Sequence, residues 1–216
     1  MFPGYLSKSI IGRAQEKGLV KIKIHNIRDY TLDKHHVTDE KPYGGGPGMV
    51  LKVEPIYKSL KKIISSSRID KKYRKIILLS PQGNKFEQST AKKYSKLKHI
   101  ILIAGRYEGL DERVNELVDE QVSIGDYVLT GGELPAMAIV DAVSRLVPGV
   151  VGKEISLAEE TFAKKGFIEY PQYTRPETFE YFDWEGKKKK LTVPKVLLSG
   201  DHQKIKNWRK KNSKKR

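Results

Sequence analysis

Apolar and polar residues follow two different periods along the chain, and these periods separate expected strands from expected helices. Apolar residues are nearly continuous in Lys75–Ser80 and His99–Ala104, which is typical of strands buried on both faces. Glu54–Ser66 and Glu133–Val147 instead place apolar residues at helical spacing. Because a further helical pattern follows each buried strand, at Phe86–Lys96 and at Glu112–Val118, the sequence predicts an α/β fold whose parallel sheet carries helices on both faces.

Shorter patterns predict further elements around this sheet. Leu19–Ile27 alternates apolar and polar residues, so we expect a strand there. Asp111 is a suitable N-cap for a short helix over Glu112–Val118. Two more helices are expected, at Ser7–Lys17 and Phe86–Lys96.

Three loops each follow a strand-like run. They are Ser80–Gly83, Gly105–Gly109 and Ser123–Gly132, and the third leads directly into the helix expected from Glu133. In open α/β sheets, ligands bind outside the carboxyl ends of the strands. We therefore expect the three loops to line one pocket, a feature that many nucleotide and cofactor enzymes share.

The character of the chain changes after Gly152, which indicates a domain boundary. We expect a first domain over residues 1–152, a linker over 153–165 and a small, mostly helical second domain over 166–216. The last segment mixes aromatic with basic residues, and Asp201 or Ser199 can begin a final helix over His202–Lys211.

Positive charge is concentrated at the C-terminal end. The 216 residues carry a net charge of +16, and from Glu185 onward 13 Lys or Arg stand against Glu185 and Asp201, a net charge of +11. Such an end favours a polyanionic partner, above all nucleic acid, although a merely solubilising tail is the alternative.

Composition excludes several classes of protein. The absence of cysteine rules out a disulfide framework and Cys-based metal sites. No apolar run approaches the roughly 20 residues of a membrane span, and the first residues are too polar for a signal peptide. We expect a cytoplasmic protein that contacts no membrane and has no resident metal site, with a need for Mg²⁺ left open.

Seven motifs, in one order, closely resemble the bacterial tRNA (guanine-N1-)-methyltransferase family, which modifies the guanine just 3′ of the anticodon (position 37). The resemblance covers nearly the whole chain. The motifs are Pro42–Val50, Ser80–Gly83, Gly105–Val114, Ser123–Met137, Arg145–Gly152, Tyr170–Pro176 and Val193–Arg209.

This resemblance implies a SPOUT-class fold with a trefoil knot, and S-adenosyl-L-methionine as the methyl donor. It also implies a homodimer with active sites at the subunit interface, and a helical C-terminal domain that helps to hold tRNA. Carried over to this sequence, the cofactor contacts are expected at Ser80, Pro81, Gly105, Tyr107, Glu108, Gly109, Ser123, Ile124, Gly125, Asp126, Tyr127, Val128, Leu129, Gly131, Gly132 and Pro135.

The resemblance also implies two catalytic residues. Guanine N1 carries a proton that a base must remove, and negative charge then grows on O6, so a carboxylate and an arginine suit the chemistry. The family's arginine matches Arg145, for which a helix ion pair with Asp141 is the alternative. The family's linker aspartate matches Glu160, one methylene longer, with Glu159 as the neighbouring candidate. Impaired catalysis is the other interpretation of that change.

Other departures from the family pattern concern the ends and one loop. The family begins with a strand ahead of Phe2-Pro3, so either that strand is missing or the start lies upstream. Gln172 replaces a usual histidine, and Lys187–Lys190 enlarges a loop. Two alternatives remain open at this stage: a non-catalytic basic RNA-binding protein, and a knotted methyltransferase that acts on rRNA.

Overall fold

The protein divides into two compact units, Met1–Glu154 and Ile155–Arg216. Its computed structural model describes residues 1–106, 109–152 and 160–215. The first unit contains, in chain order, α1 (Phe2–Leu6), α2 (Ser9–Glu16), β1 (Asp39–Glu40), β2 (Val50–Leu51), α3 (Val53–Ser65), β3 (Arg74–Lys85), α4 (Gln88–Tyr94), β4 (His99–Ala104), β5 (Glu120–Ser123) and α5 (Glu133–Ser144).

A parallel sheet forms the centre of the first unit, as predicted. Its strand order is β4-β3-β5, and both pairings are parallel. Arg74 pairs with His99 at the start of the β3–β4 ladder and Leu79 with Ala104 at its end. The two predicted buried strands are therefore neighbours, and their carboxyl ends lie at the same edge of the sheet.

Helices cover both faces of this sheet, because side chains alternate along each strand. On one face Ile77, Leu79 and Val122 pack with residues of α4 and α5. On the other face Leu78, Ile101 and Ile103 pack with α3 and with the 3-10 turn Glu112–Leu117. The expected three-layer α/β arrangement is confirmed.

One strand prediction is wrong. Residues 19–26 lie within the described part of the chain and have no regular secondary structure, and Ile27–Tyr30 form a 3-10 turn. Ile24 is 53% exposed and Leu19 is 37% exposed. Alternation alone does not make a strand, since a strand also needs a neighbour that pairs with its backbone.

The second unit contains strands as well as helices, so the expectation of a mainly helical domain is met only in part. An antiparallel hairpin joins Thr178–Phe182 to Lys188–Thr192. Two short strands, Phe167–Ile168 and Lys214–Lys215, also pair. Helices span Lys195–Leu198 and His202–Asn212, and the second of these begins at the predicted Asp201 cap, whose carboxylate accepts backbone N–H groups of Gln203 and Lys204.

Among the described residues, none of the helices combines the length and the apolar character that crossing a membrane requires.

Candidate active site

The three predicted loops meet at the carboxyl edge of the sheet and enclose a cavity of about 430 Å³. This volume falls within the ~300–1,000 Å³ that is usual for sites binding small molecules and cofactors. Leu78 and Leu79 of β3 form part of the wall, and the loops supply the rest. The geometry agrees with the rule that open α/β sheets bind ligands at strand ends.

The first loop interrupts β3. Leu79 and Asn84 both pair with Val122 of β5, so residues 80–83 form a bulge between two ladder segments. The Ser80 hydroxyl accepts a hydrogen bond from the Gln82 N–H at 3.2 Å and orders the bulge. A bulge re-aims side chains out of the sheet, and this one turns Ser80 and Pro81 toward the cavity.

The second and third loops are joined by their backbones. The Gly132 N–H donates to the Gly105 carbonyl at 2.8 Å. A Cβ on Gly132 would lie 2.7 Å from Ala104 Cα and 2.9 Å from Gly105 N, so only glycine permits this approach. Gly132 also begins α5, since its carbonyl accepts the Ala136 N–H at 2.9 Å.

An ion pair reinforces the same junction. Arg106 pairs with Gly131 through a backbone bridge, and its Nε lies 2.5 Å from Glu133 Oε1. The Glu133 side chain is 17% exposed, whereas the Arg106 side chain is 53% exposed. Glu133 therefore anchors an arginine that lines the cavity.

The start of the third loop is held by side chains. The Ser123 hydroxyl donates to the Gly125 carbonyl at 2.9 Å and lies 3.2 Å from the Gly125 N–H. Asp126 forms an ion pair with Lys85, at the end of β3. The loop is thus fixed to β3 at one end and to the second loop at the other.

Most of the predicted cofactor contacts lie around this cavity. Asp126 does not line it and faces Lys85 instead, while Tyr107 and Glu108 lie outside the described residues. The predicted residues that line the cavity are Ser80, Pro81, Gly105, Gly109, Ser123, Ile124, Gly125, Tyr127, Val128, Leu129, Gly131, Gly132 and Pro135.

Several polar residues of the wall were not predicted. Gln82 lies within the motif Ser80–Gly83 and Arg106 within the motif Gly105–Val114, so predicted contacts beside them in the sequence pointed to both residues. Asp111 and Glu112, at the start of the 3-10 turn, belong to the motif Gly105–Val114 as well, but they lie outside the three predicted loops. Arg113 donates two hydrogen bonds to the Asp111 carboxylate, at 2.9 and 2.6 Å, and lowers its pKa. The other unpredicted polar lining residues are Asn115, Gln121 and Thr130.

Arg145 lies at the C-terminal end of α5 and is half-buried. Its N–H donates to the Asp141 carbonyl at 3.2 Å. The Asp141 carboxylate accepts a hydrogen bond from the Tyr5 hydroxyl, which raises the pKa of Tyr5. Asp141 is therefore engaged with α1, and this contact is compatible with the ion pair to Arg145 as well as with a catalytic Arg145.

Glu160 belongs to the second unit and begins a compact turn. Its carbonyl accepts the Ala163 N–H at 2.9 Å, and the Phe162 N–H donates to the Phe167 carbonyl at 2.7 Å. Phe162 adopts a φ of 63°, a left-handed conformation that is uncommon for an aromatic residue. Glu160 is half-buried at the start of this turn, and Glu159 lies outside the described residues.

These features define a class of protein: an α/β protein with a cofactor-sized cavity at the strand ends of a parallel sheet. Over residues 1–216 the chain matches the family described as tRNA (Guanine-1)-methyltransferase TrmD. The chain belongs to this family.

Its relatives include proteins named tRNA (guanine-N(1)-)-methyltransferase from several bacteria. The protein of Carboxydothermus hydrogenoformans is 54% identical over 214 residues, which cover 99% of this chain and 78% of that protein. The protein of Dictyoglomus turgidum is 53% identical, over 99% of this chain and 80% of that protein. The protein of Clostridioides difficile is 48% identical, over 99% and 87%.

Proposed function

We propose that the protein transfers a methyl group from S-adenosyl-L-methionine to N1 of the guanine at position 37 of tRNA. Membership of the tRNA (Guanine-1)-methyltransferase family over residues 1–216 is the observation that carries this proposal. The cavity at the strand ends supports it independently, because an enzyme of this kind needs a site for a nucleoside-sized methyl donor.

The cavity suits the proposed donor in shape and chemistry. Its wall combines apolar side chains such as Leu78, Leu129 and Pro135 with a backbone rich in glycine. A flat base fits between apolar side chains, while backbone N–H and C=O groups can bond to its polar edge. Asp111 also lines the wall, but its carboxylate is paired with Arg113, so the fit to the donor rests on the apolar and glycine-rich lining and not on charge. When bound, S-adenosyl-L-methionine supplies an activated methyl group on a sulfonium.

The protein must then make the guanine nucleophilic. We assign Glu160 as the base that removes the N1 proton, because a carboxylate positioned at the acceptor accelerates such a step by about 10²–10⁴-fold. Arg145 is assigned to the negative charge that grows on O6, where a fixed cation lowers the barrier. Arg145 belongs to the first unit and Glu160 to the second.

Three further properties are inferred from membership of the family. The loops over residues 80–132 form a trefoil knot of the SPOUT type, and the protein works as a homodimer with active sites at the subunit interface. The second unit binds tRNA. Its final helix supports the last point, because Lys204, Lys206, Arg209, Lys210 and Lys211 lie within its 11 residues.

Methyl transfer to a tRNA transcript, compared between wild type and Glu160→Gln, tests the proposal. Glu169→Gln is the matched control, since Glu169 is another half-buried glutamate of the same unit. We expect a loss of about 10²-fold or more only in Glu160→Gln, with tRNA affinity unchanged. Full activity in that variant removes Glu160 from the role, and Glu159→Gln then becomes the next test.

Calorimetry with S-adenosyl-homocysteine separates an enzyme from a non-catalytic RNA-binding protein. Binding heat in wild type that is reduced by a substitution at the cavity supports the methyltransferase. A protein that binds tRNA but gives no heat with this ligand would favour the RNA-binding alternative.

A further inference from the structure

The hairpin Thr178–Thr192, called the 178–192 hairpin below, exposes large apolar side chains on both faces. Phe179 and Leu191 are 54% and 57% exposed, and Phe182 is 70% exposed. At the tip, Trp184 is fully exposed, with a relative accessibility of 105%. A two-stranded hairpin is marginally stable in water, so one with uncovered aromatic rings gains from a partner that covers them.

The tip that carries Trp184 has a fixed shape. The Asp183 carboxylate accepts the N–H groups of Glu185 and Lys187, at 3.1 and 2.8 Å. The Asp183 N–H donates to the Lys187 carbonyl at 2.9 Å and closes the loop. Gly186 has a φ of 78°, the left-handed position of a three-residue hairpin loop. The backbone therefore holds the indole at the end of the hairpin, and little backbone order has to be gained on binding.

Lysines surround the aromatic residues. Lys188–Thr192 is exposed throughout, and three lysines pair with acids of the same hairpin: Lys187 with Glu185 at 2.7 Å, Lys188 with Glu180 at 2.8 Å and Lys189 with Asp183 at 3.6 Å. Lysine is depleted in the centres of protein–protein interfaces. Lysines interleaved with exposed aromatic rings are instead typical of surfaces that bind single-stranded nucleic acid.

We propose that the 178–192 hairpin contacts the RNA substrate and that Trp184 stacks on one of its unpaired bases. This inference rests on the proposed function for the identity of the RNA as tRNA. Unpaired bases expose a π-face that an indole can cover, whereas bases inside a duplex are already stacked. Three lysines of the hairpin are paired with acidic residues of the same hairpin. The proposed contact with RNA therefore depends more on stacking by Trp184 than on positive charge.

Binding of an unmodified tRNA transcript, measured by fluorescence anisotropy without a methyl donor, tests the proposal. Trp184→Ala should raise Kd about tenfold, within the range of about 5- to 150-fold that loss of one base–aromatic stack implies. Trp184→Phe should recover most of the affinity, and Trp184→Leu should behave like Trp184→Ala. Tyr57→Ala is the control, because Tyr57 is a half-exposed aromatic residue, 49% accessible, of the first unit.

Three further readouts separate stacking from other contacts. The dependence of log Kd on log salt should have the same slope in Trp184→Ala as in wild type, since no phosphate contact is lost. A blunt RNA duplex should bind wild type and Trp184→Ala equally. The chain has two tryptophans, so in a Trp208→Phe background tRNA should quench the fluorescence of Trp184 directly.

Several results would overturn the inference. They are a Kd within twofold of wild type in Trp184→Ala, full affinity in Trp184→Leu, or an equal loss of affinity for the duplex. A change of oligomeric state in Trp184→Ala with tRNA affinity intact would assign the hairpin to a protein partner instead. These outcomes do not depend on methyl transfer, so they can fail while the proposed activity stands, or hold while it fails.

Discussion

Replacing Gly132 with alanine tests the junction between the second and third loops. The added Cβ would lie 2.7 Å from Ala104 Cα, and ordinary contact begins near 3.4 Å, so the loop must retreat by about 0.7 Å. That retreat would stretch the 2.8 Å hydrogen bond from the Gly132 N–H to the Gly105 carbonyl. Backbone atoms form the obstacle, so no side chain can rotate away to relieve it.

Overpacking of this kind costs about 1–3 kcal/mol. For a chain of this size, 1 kcal/mol lowers Tm by about 2–4 °C. Thermal unfolding followed by circular dichroism should therefore show a fall of about 2–12 °C in Gly132→Ala. Calorimetry should show weaker binding of S-adenosyl-homocysteine, because both loops line the cavity.

Gly4→Ala is the matched control for this substitution. Gly4 lies in α1, and a Cβ there would meet nothing within 4 Å. Alanine is favoured over glycine inside a helix, so Tm should stay the same or rise slightly. An unchanged Tm together with unchanged ligand affinity in Gly132→Ala would refute the close approach of the two loops.

Three other predictions concern stability and charge. Tyr94→Phe removes the 2.7 Å hydrogen bond from a buried phenol to Glu120 and should cost about 1 kcal/mol near neutral pH. Burial, aided by that hydrogen bond, raises the pKa of Tyr94, so its stabilising contribution is complete below the ordinary pKa of 10.0 and is lost progressively as the pH rises toward the higher pKa of the folded protein. The difference in unfolding free energy between variant and wild type, measured by urea titration, should therefore narrow at alkaline pH. Backbone N–H donors, first that of Lys204, lower the pKa of Asp201, so its contribution to the C-terminal helix is present above pH 3.8 and is lost as pH falls further. Hydrogen exchange over 202–212 should therefore speed up in Asp201→Ala but not in Asp201→Asn, which can still cap the helix. Binding of tRNA should weaken steeply between about 50 and 200 mM salt, and Lys210→Ala should reduce the slope by about one if that lysine contacts a phosphate.

Local signals were sufficient where a few neighbouring residues determine the structure. The continuous apolar run at His99–Ala104 predicted β4 to the residue, because a strand buried on both faces has no polar positions. Asp111 and Asp201 were recognised as caps, because a cap depends only on the next two or three N–H groups. The rule that open α/β sheets bind ligands at the carboxyl ends of their strands then predicted that the three loops line one cavity, as they do.

The predictions failed where the structure depends on pairing between strands that are remote in sequence. The alternating segment Leu19–Ile27 has the period of a strand, but strand formation depends on a partner that is remote in sequence. Lys85 lies outside every predicted strand, and it pairs with Ser123 because the bulge at 80–83 returns the chain to the sheet. The hairpin Thr178–Thr192 was also missed, although alternation before Asp183 and a glycine at 186 are signals for it.

Analysis of the methylated product tests methyl transfer to N1 of guanine 37 most directly. The wild-type protein is incubated with S-adenosyl-L-methionine and tRNA transcripts that carry either guanine or adenine at position 37, and nucleosides are then identified by mass spectrometry. We expect N1-methylguanosine from the first transcript and no methylated nucleoside from the second. Methylation of both transcripts, of another atom or of neither would contradict this expectation.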